Sequence, residues 1–331
     1  PRVSLRLRGD AHVLAGIKVS SATISTIIVD FDGATLSEHV SPLPRAQMPP
    51  ETLVDIIVAT LSEAAAETGR MVDDLSGLGV GVSGVVDVPE GLIHWSPSLT
   101  RRNVAFRDML EAALPMPVFL DNDANTVAKA EQLFGEGRGV RDFLVVTIEH
   151  GVGMGVVIDG QIYRGTRGCG AEFGHTKVHL DGALCRCGQR GCLEAYVADY
   201  AILREAGVTF PALAGTTPED RLDSLFTAAR TGEHTARSIL DRAGRMFAMG
   251  LANLVNVFDP SLIILSGERM GHDFLYSDEV IEMMKTQVVQ VDAPPPEVRI
   301  HKWGDMMWAK GAAAYAMEGV TELAVRGMND A

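Results

Sequence analysis

Within eighteen residues an imidazole and three thiols, His175, Cys185, Cys187 and Cys192, stand at the spacing G-H-x9-C-x-C-G-x2-G-C-x-E from Gly174 to Glu194. Together they are a complete ligand set for a tetrahedral structural Zn2+, and Gly188 and Gly191 stand where the backbone must turn tightly between ligands. Thiols that serve only as small buried hydrophobes have no reason to gather at ligand spacing. With all four positions filled by protein, no site remains for an activated water, so the expected role of the metal is to shape a loop and not to perform chemistry. Cys169, the fourth cysteine, is left over.

Two acids flank the metal run, Glu172 and Glu194, and a second polar cluster stands at Asp121-Asn122-Asp123-Ala124-Asn125. By residue type alone, Asp123 can be an N-cap of the helix that follows it, and the two glutamates can be solvated loop acids. Their order and surroundings give more. Gly170-Ala171-Glu172-Phe173-Gly174-His175, the cysteine run and Leu193-Glu194 closely resemble the signature of the ROK family (repressors, open reading frames and sugar kinases). Gly79-Val80-Gly81-Val82-Ser83-Gly84-Val85-Val86-Asp87 resembles its G-x-G-x-x-G-x-x-D strand and turn, and Ser96-Pro97-Ser98-Leu99 its P-N-L. Asn122-Asp123-Ala124-Asn125 matches the N-D-A-N motif that carries the catalytic base in ROK kinases.

The resemblance implies a monosaccharide ligand. Sugar hydroxyls are met by carboxylates and amides through directional hydrogen bonds worth about 1.5–3 kcal/mol when one partner is charged. It places Gly84, Asn122 and Asp123 on one side of the sugar and Glu172, His175 and Glu194 on the other. Zinc would then support the loop carrying both glutamates and hold one nitrogen of His175, leaving the other for a hydroxyl.

Phosphoryl transfer requires more than a base: backbone amides and Mg2+ must neutralise charge on the transferred group. Where ROK kinases carry D-x-G-G-T-K, this chain reads Lys18-Val19-Ser20-Ser21-Ala22-Thr23, with a cation for the acid and serines for the glycines that let amides approach phosphate. Where the kinases resemble G-T-G-x-G-G-G, it reads Glu149-His150-Gly151-Val152-Gly153-Met154-Gly155, and Gly267-Glu268 replaces paired glycines beside the nucleotide base. These departures favour the sugar-sensing and oligomerising region of a ROK transcriptional regulator. The alternative is an ATP- and Mg2+-dependent ROK sugar kinase, of glucokinase or N-acetylhexosamine kinase type, with Asp123 as general base. His94 and His150 have no supporting pattern and are expected to be ordinary residues.

The elements that position these residues read as α/β. Adjacent strands are expected over 13–19 and 23–31, with a hairpin turn at Asp32-Gly33 before a third strand. Pro49-Pro50 opens a helix with Leu53, Ile56, Ile57 and Leu61 at helical spacing, ended by Gly69. Strands follow at 78–82 and 117–121, then a helix from Asp123 through Leu133. Strands 143–149 and 154–159, joined at Gly151-Val152-Gly153, repeat the opening of the chain. Helices are expected over 192–206 and 217–257 with a break near Thr231-Gly232, strands at 261–266 and 298–302, and a last helix from about 307. The three prolines 294–296 read as a rigid entry to the strand after them. The resemblance makes this a two-domain actin-like or ribonuclease-H-like fold of the sugar kinase type, with an interdomain cleft and a zinc-bound loop. Residues 1–122 plus 307–331 form the expected first domain, and 123–306 the second, with the zinc loop and a dimerisation surface.

A length of 331 residues favours two domains, and 47% hydrophobic with 22% charged residues is ordinary for a soluble globular chain. No apolar run of about eighteen residues and no leader pattern is present, so no membrane association is expected. Cysteines at metal spacing suit a reducing compartment, and the cytoplasm is the expected location. A net charge of −14 opposes binding to a phosphate backbone. In ROK repressors a segment resembling Pro1-Arg2-Val3-Ser4-Leu5-Arg6-Leu7-Arg8 follows a winged helix, so DNA contact is expected only through such a segment outside this chain. The expected assembly is a homodimer or homotetramer.

Overall fold

A computed structural model describes residues 8–148, 150–209, 215, 217–267, 274–290, 292–301 and 306–329. The chain forms two compact units, one of residues 1–139, 161–170 and 304–331 and one of residues 140–160 and 171–303. The basic residues Arg2 and Arg6, with the rest of 1–7, lie outside the described residues.

In the first unit, strand alternation sets the layers. Along β1 (Val13–Val19), Val13, Ala15, Ile17 and Val19 pack into one core with Leu53, Ile57 and Leu61 of α1 (Pro50–Glu67). Leu14 turns the other way, toward Ala309, Ala313 and Ala316. β2 (Thr23–Asp30) and β3 (Thr35–Pro42) extend the sheet antiparallel on one side. On the other side β4 (Gly77–Val82) and β7 (Val118–Asn122) extend it in parallel, giving the order β3-β2-β1-β4-β7. Between β4 and β7 lie the hairpin β5 (Val85–Asp87) and β6 (Leu92–Trp95) and the short helix α2 (Phe106–Ala113), which buries Phe106 and Leu110. α3 (Asp123–Phe134) follows β7 directly, and α9 (Met307–Asn329) closes the unit. The alanine face of α9 lies so near the sheet that a Cβ on Gly16 or Gly79 would sit 2.0 Å from Ala309 O or 1.8 Å from Ala312 O.

The second unit repeats that plan. β8 (Phe143–Ile148) pairs antiparallel with β9 (Val152–Ile158) and in parallel with β11 (Leu262–Ser266), which pairs in parallel with β12 (Glu297–His301). The sequence β9-β8-β11-β12 therefore matches β2-β1-β4-β7 in order and sense, the repeat expected from the two β-β starts. The helices are α4 (Glu194–Val197), α5 (Asp199–Thr209), α6 (Pro218–Arg230), α7 (His234–Phe258) and α8 (Asp278–Gln287). β12 begins immediately after Pro294-Pro295-Pro296.

Several boundaries differ from those read in the sequence. The helix expected over 192–206 is broken at Ala198, whose ψ of 154° is extended, so Glu194 opens a short helix of its own. β9 starts at Val152, two residues earlier than expected, because Val152 pairs with Ile148 and narrows the connection. The division at 122/123 also moves: α3 and residues 161–170, including β10 (Gln161–Ile162), belong with the first unit. Lys129 of α3 is paired with Glu318 of α9 at 2.9 Å, and Arg164 with Asp121 at 2.6 Å, so polar contacts as well as packing hold these segments there. No helix among the described residues is long and apolar enough to cross a membrane.

Candidate functional site

The ligand atoms of His175, Cys185, Cys187 and Cys192 all lie within 4.8 Å of one another. Cys187 Sγ is 3.7 Å from Cys192 Sγ, and Cys185 Sγ is 3.7 Å from His175 Nδ1. Thiolates on a tetrahedral zinc with Zn–S bonds near 2.3 Å stand about 3.8 Å apart, so the donor set and its spacing fit that ion. Cys185 and Cys192 are buried, and burial pushes the Cys185 thiol up to about 12. Such a thiol becomes a thiolate when a cation takes the place of its proton. Gly188 and Gly191 have φ of 89° and 76°, the left-handed conformation that the cysteine-bearing turns require. Cys169, outside the group, donates to Arg167 O at 3.1 Å.

Both acids of this loop are tied to the metal group. His175 directs Nδ1 at the cysteines and Nε2 toward Glu172 Oε2, 3.8 Å away, with Glu172 itself exposed. Glu194 is only 9% exposed. Its Oε1 accepts from Tyr200 Oη at 3.3 Å and lies 3.5 Å from Cys185 Sγ, while Oε2 accepts from Val152 N at 3.4 Å. Burial raises Tyr200 above the ordinary phenol range, so it remains a donor.

In the first unit, the predicted Gly84, Asn122 and Asp123 come together at the carboxyl ends of β4 and β7. Asn122 is the N-cap of α3: Oδ1 accepts from Ala124 N at 2.9 Å, and Nδ2 donates to Gly84 O at 2.7 Å. The capping role open to Asp123 thus falls to its neighbour. Asp123 accepts from Ala124 N through Oδ1 and from Ser83 Oγ through Oδ2. Gly84 has φ of 125°, and a Cβ there would lie 2.2 Å from Trp95 O, so the close approach it permits is that of the β6 backbone. His94 shares its Nδ1 with Asn103 Oδ1 at 3.0 Å, and His150 Nδ1 is 3.8 Å from Asp199 Oδ2.

Sequence reasoning missed the support beneath this cluster. Asp121 is 2% exposed, and its Oδ2 accepts from Arg164 Nε at 2.8 Å and Nη2 at 2.6 Å while Oδ1 accepts from Asn122 N and Asn125 Nδ2. Burial works against the Arg164 charge, but the Asp121 carboxylate outweighs it and holds the guanidinium above its usual value. Burial likewise pushes Tyr315, beside Arg164, up to about 12. The separation of 43 positions between Asp121 and Arg164 leaves no local signal for the pair.

The segment matching the first phosphate turn is closed on itself. Ser20 Oγ accepts from Ala22 N at 3.2 Å and from Thr23 N at 2.9 Å, and Ser20 N donates to Thr23 O at 2.9 Å. Both amides are thereby engaged within the turn. Lys18 is 4% exposed, its ammonium 3.5 Å from the centroid of the Trp308 ring. At the β8–β9 connection, a carboxylate from Glu194 already occupies the Val152 amide. The expected contributions of Glu149 and Glu268 lie outside the described residues.

The family model described as ROK family matches residues 14–318. A glucokinase of Streptomyces coelicolor is 31% identical over 316 residues, covering 92% of this chain and 97% of the glucokinase. A xylose repressor of Caldicellulosiruptor bescii is 26% identical over 289 residues, covering 85% of this chain and 72% of the repressor. Among solved structures, a ROK family glucokinase from Streptomyces griseus in complex with glucose and AMPPNP superposes with a TM-score of 0.79 at 28% identity, over 93% of this chain and all of that one. A ROK family transcriptional regulator, a homolog of the Escherichia coli MLC protein, shares the fold with a TM-score of 0.81 at 22% identity, over 97% of this chain and 81% of the regulator.

Proposed function

Since the chain belongs to the ROK family, we propose that it is the sugar-sensing region of a ROK transcriptional regulator, binding a monosaccharide or a derivative without phosphorylating it. The observation that carries this reading is the Ser20–Thr23 turn, in which Ser20 Oγ engages the two amides that a kinase would direct at phosphate. Lys18 supports it, since a buried cation over Trp308 stands where the kinases place an acid near the metal-phosphate region.

The residues we assign to hydroxyl recognition are Gly84, Asn122, Asp123, Glu172, His175 and Glu194. In this reading Asp123 and the two glutamates accept from hydroxyls, and Asn122 Nδ2 and the single N–H at His175 Nε2, which is 3.8 Å from Glu172 Oε2, can donate. Zn2+ held by His175, Cys185, Cys187 and Cys192 would fix the loop and supply no chemistry to the ligand. In this reading the protein works as a homo-oligomer in the cytoplasm.

The glucokinase identity of 31% and the retained Asp123 favour a second reading, a sugar kinase using ATP and Mg2+ with Asp123 as base. Calorimetry with glucose, xylose and N-acetylglucosamine, with and without ATP, separates the two. A sensor binds one of them equally well without nucleotide. Absence of binding by every sugar under both conditions overturns the sugar reading.

A further inference from the structure

Tyr200 is not part of the metal signature and belongs to none of the motifs read in the sequence. It lies on α5, beyond the break at Ala198 that separates this helix from Glu194. That break lets the ring return over the start of α4. Its hydroxyl reaches Glu194 Oε1 at 3.3 Å and Cys185 Sγ at 3.7 Å, and those two atoms are 3.5 Å apart. On the ring face, the Arg186 guanidinium stands 3.9 Å from the centroid, and Arg204 lies at 5.9 Å. The ring is therefore held from outside while its hydroxyl points inward at a carboxylate.

A buried carboxylate with few donors can rotate about its side-chain torsions. A phenol donor on Oε1 and the Val152 amide on Oε2 together fix both oxygens. We propose that Tyr200 is a positioning residue for Glu194: its hydroxyl donates to Oε1 and orients the carboxylate that accepts from the sugar. The proposal rests on the sugar-binding reading of Glu194 given above. It assigns Tyr200 no contact with the sugar, so its whole effect must pass through Glu194.

A double-mutant cycle tests this, because residues that act through one another are non-additive. Binding of glucose, xylose and N-acetylglucosamine is measured by calorimetry for the wild type, Tyr200→Phe, Glu194→Gln and the double variant, with zinc content determined for each. The expected result is about tenfold weaker binding for Tyr200→Phe, corresponding to about 1.4 kcal/mol, with zinc content unchanged. In the Glu194→Gln background the same change should cost less than about twofold. Arg186→Ala, which leaves the hydroxyl in place and loosens the ring, should weaken binding about two- to threefold. Tyr200→Phe binding as wild type, or weakening binding equally in both backgrounds, overturns the proposal. Loss of zinc from Tyr200→Phe also overturns it, since Tyr200 would then support the metal and not the carboxylate. If Glu194→Gln binds as wild type, or no sugar binds, the sugar reading of Glu194 fails and takes the proposal with it. A weakened Glu194→Gln beside an unaffected Tyr200→Phe sinks the proposal alone.

Discussion

The Ser20–Thr23 turn engages its polar groups with one another, whereas the loop from Glu172 to Glu194 aims its donors and acceptors at shared points. In the turn, one hydroxyl engages two amides, leaving little for a ligand. In the loop, an imidazole and three thiols converge within 4.8 Å, and a glutamate lies against either side of that group. Both segments lie within the residues matched by the family model. What separates them is where the hydrogen bonds end. A single serine hydroxyl is enough to occupy the amides of one turn, while the other segment gathers its donor atoms at one point.

The comparison breaks most severely if the loop does not need its metal. Cys187→Ala should release the ion, removing apparent binding free energy on the order of 10 kcal/mol. Metal analysis and thermal denaturation are the measurements, and full stability in a metal-free sample would contradict the account. The same binding should weaken as pH falls. Each thiol gives up a proton to bind, and Cys185, raised to about 12 by burial, begins fully protonated, so lower pH favours the metal-free form.

The next effect concerns polar groups committed to the fold. Arg164→Ala leaves Asp121 charged and 2% exposed, a loss of about 3–5 kcal/mol. Arg141→Ala removes an ion pair whose arginine is 75% exposed and should cost less than about 1 kcal/mol. Equal urea midpoints for the two variants would show that burial does not distinguish these pairs.

A smaller change is expected where the loop meets its ligand. Glu172→Ala should weaken sugar binding about tenfold, or about 1.4 kcal/mol, with the fold intact. Calorimetry against the best-binding sugar checks it, and wild-type affinity would move the recognition site elsewhere. Smallest of all is Ser20→Gly, which removes the hydroxyl that closes the turn and should lower stability by about 0.5–1.5 kcal/mol. It should not create ATP binding, because Lys18 remains over Trp308; measurable ATP affinity in that variant would show that the serine alone closed the site.

Much of this was legible in the sequence, for reasons that differ by residue. The ligand spacing of Cys185, Cys187 and Cys192 is local, and a metal group reads directly from such spacing. β1, α1 and α3 were legible because their apolar periods are strong and the helix starts are marked by Pro49-Pro50 and Asp123, although the cap itself proved to be Asn122. The hairpin β5–β6 and helix α2 passed unnoticed: three- and four-residue strands and an eight-residue helix carry too little period to separate from loop. The lysine at position 18 read as a lost acid, but its stacking on Trp308 depends on a helix 290 residues later. Arg164 and Tyr200 were silent because their partners are set by tertiary return of the chain and not by spacing.

The central claim is that this chain recognises a sugar and does not phosphorylate it. A coupled ADP-release assay with the best-binding sugar, ATP and Mg2+ tests it directly. The account predicts turnover at background, with sugar affinity unchanged by ATP. Turnover of roughly 1–100 s⁻¹, abolished by Asp123→Asn, would contradict it and make Asp123 the base of a kinase.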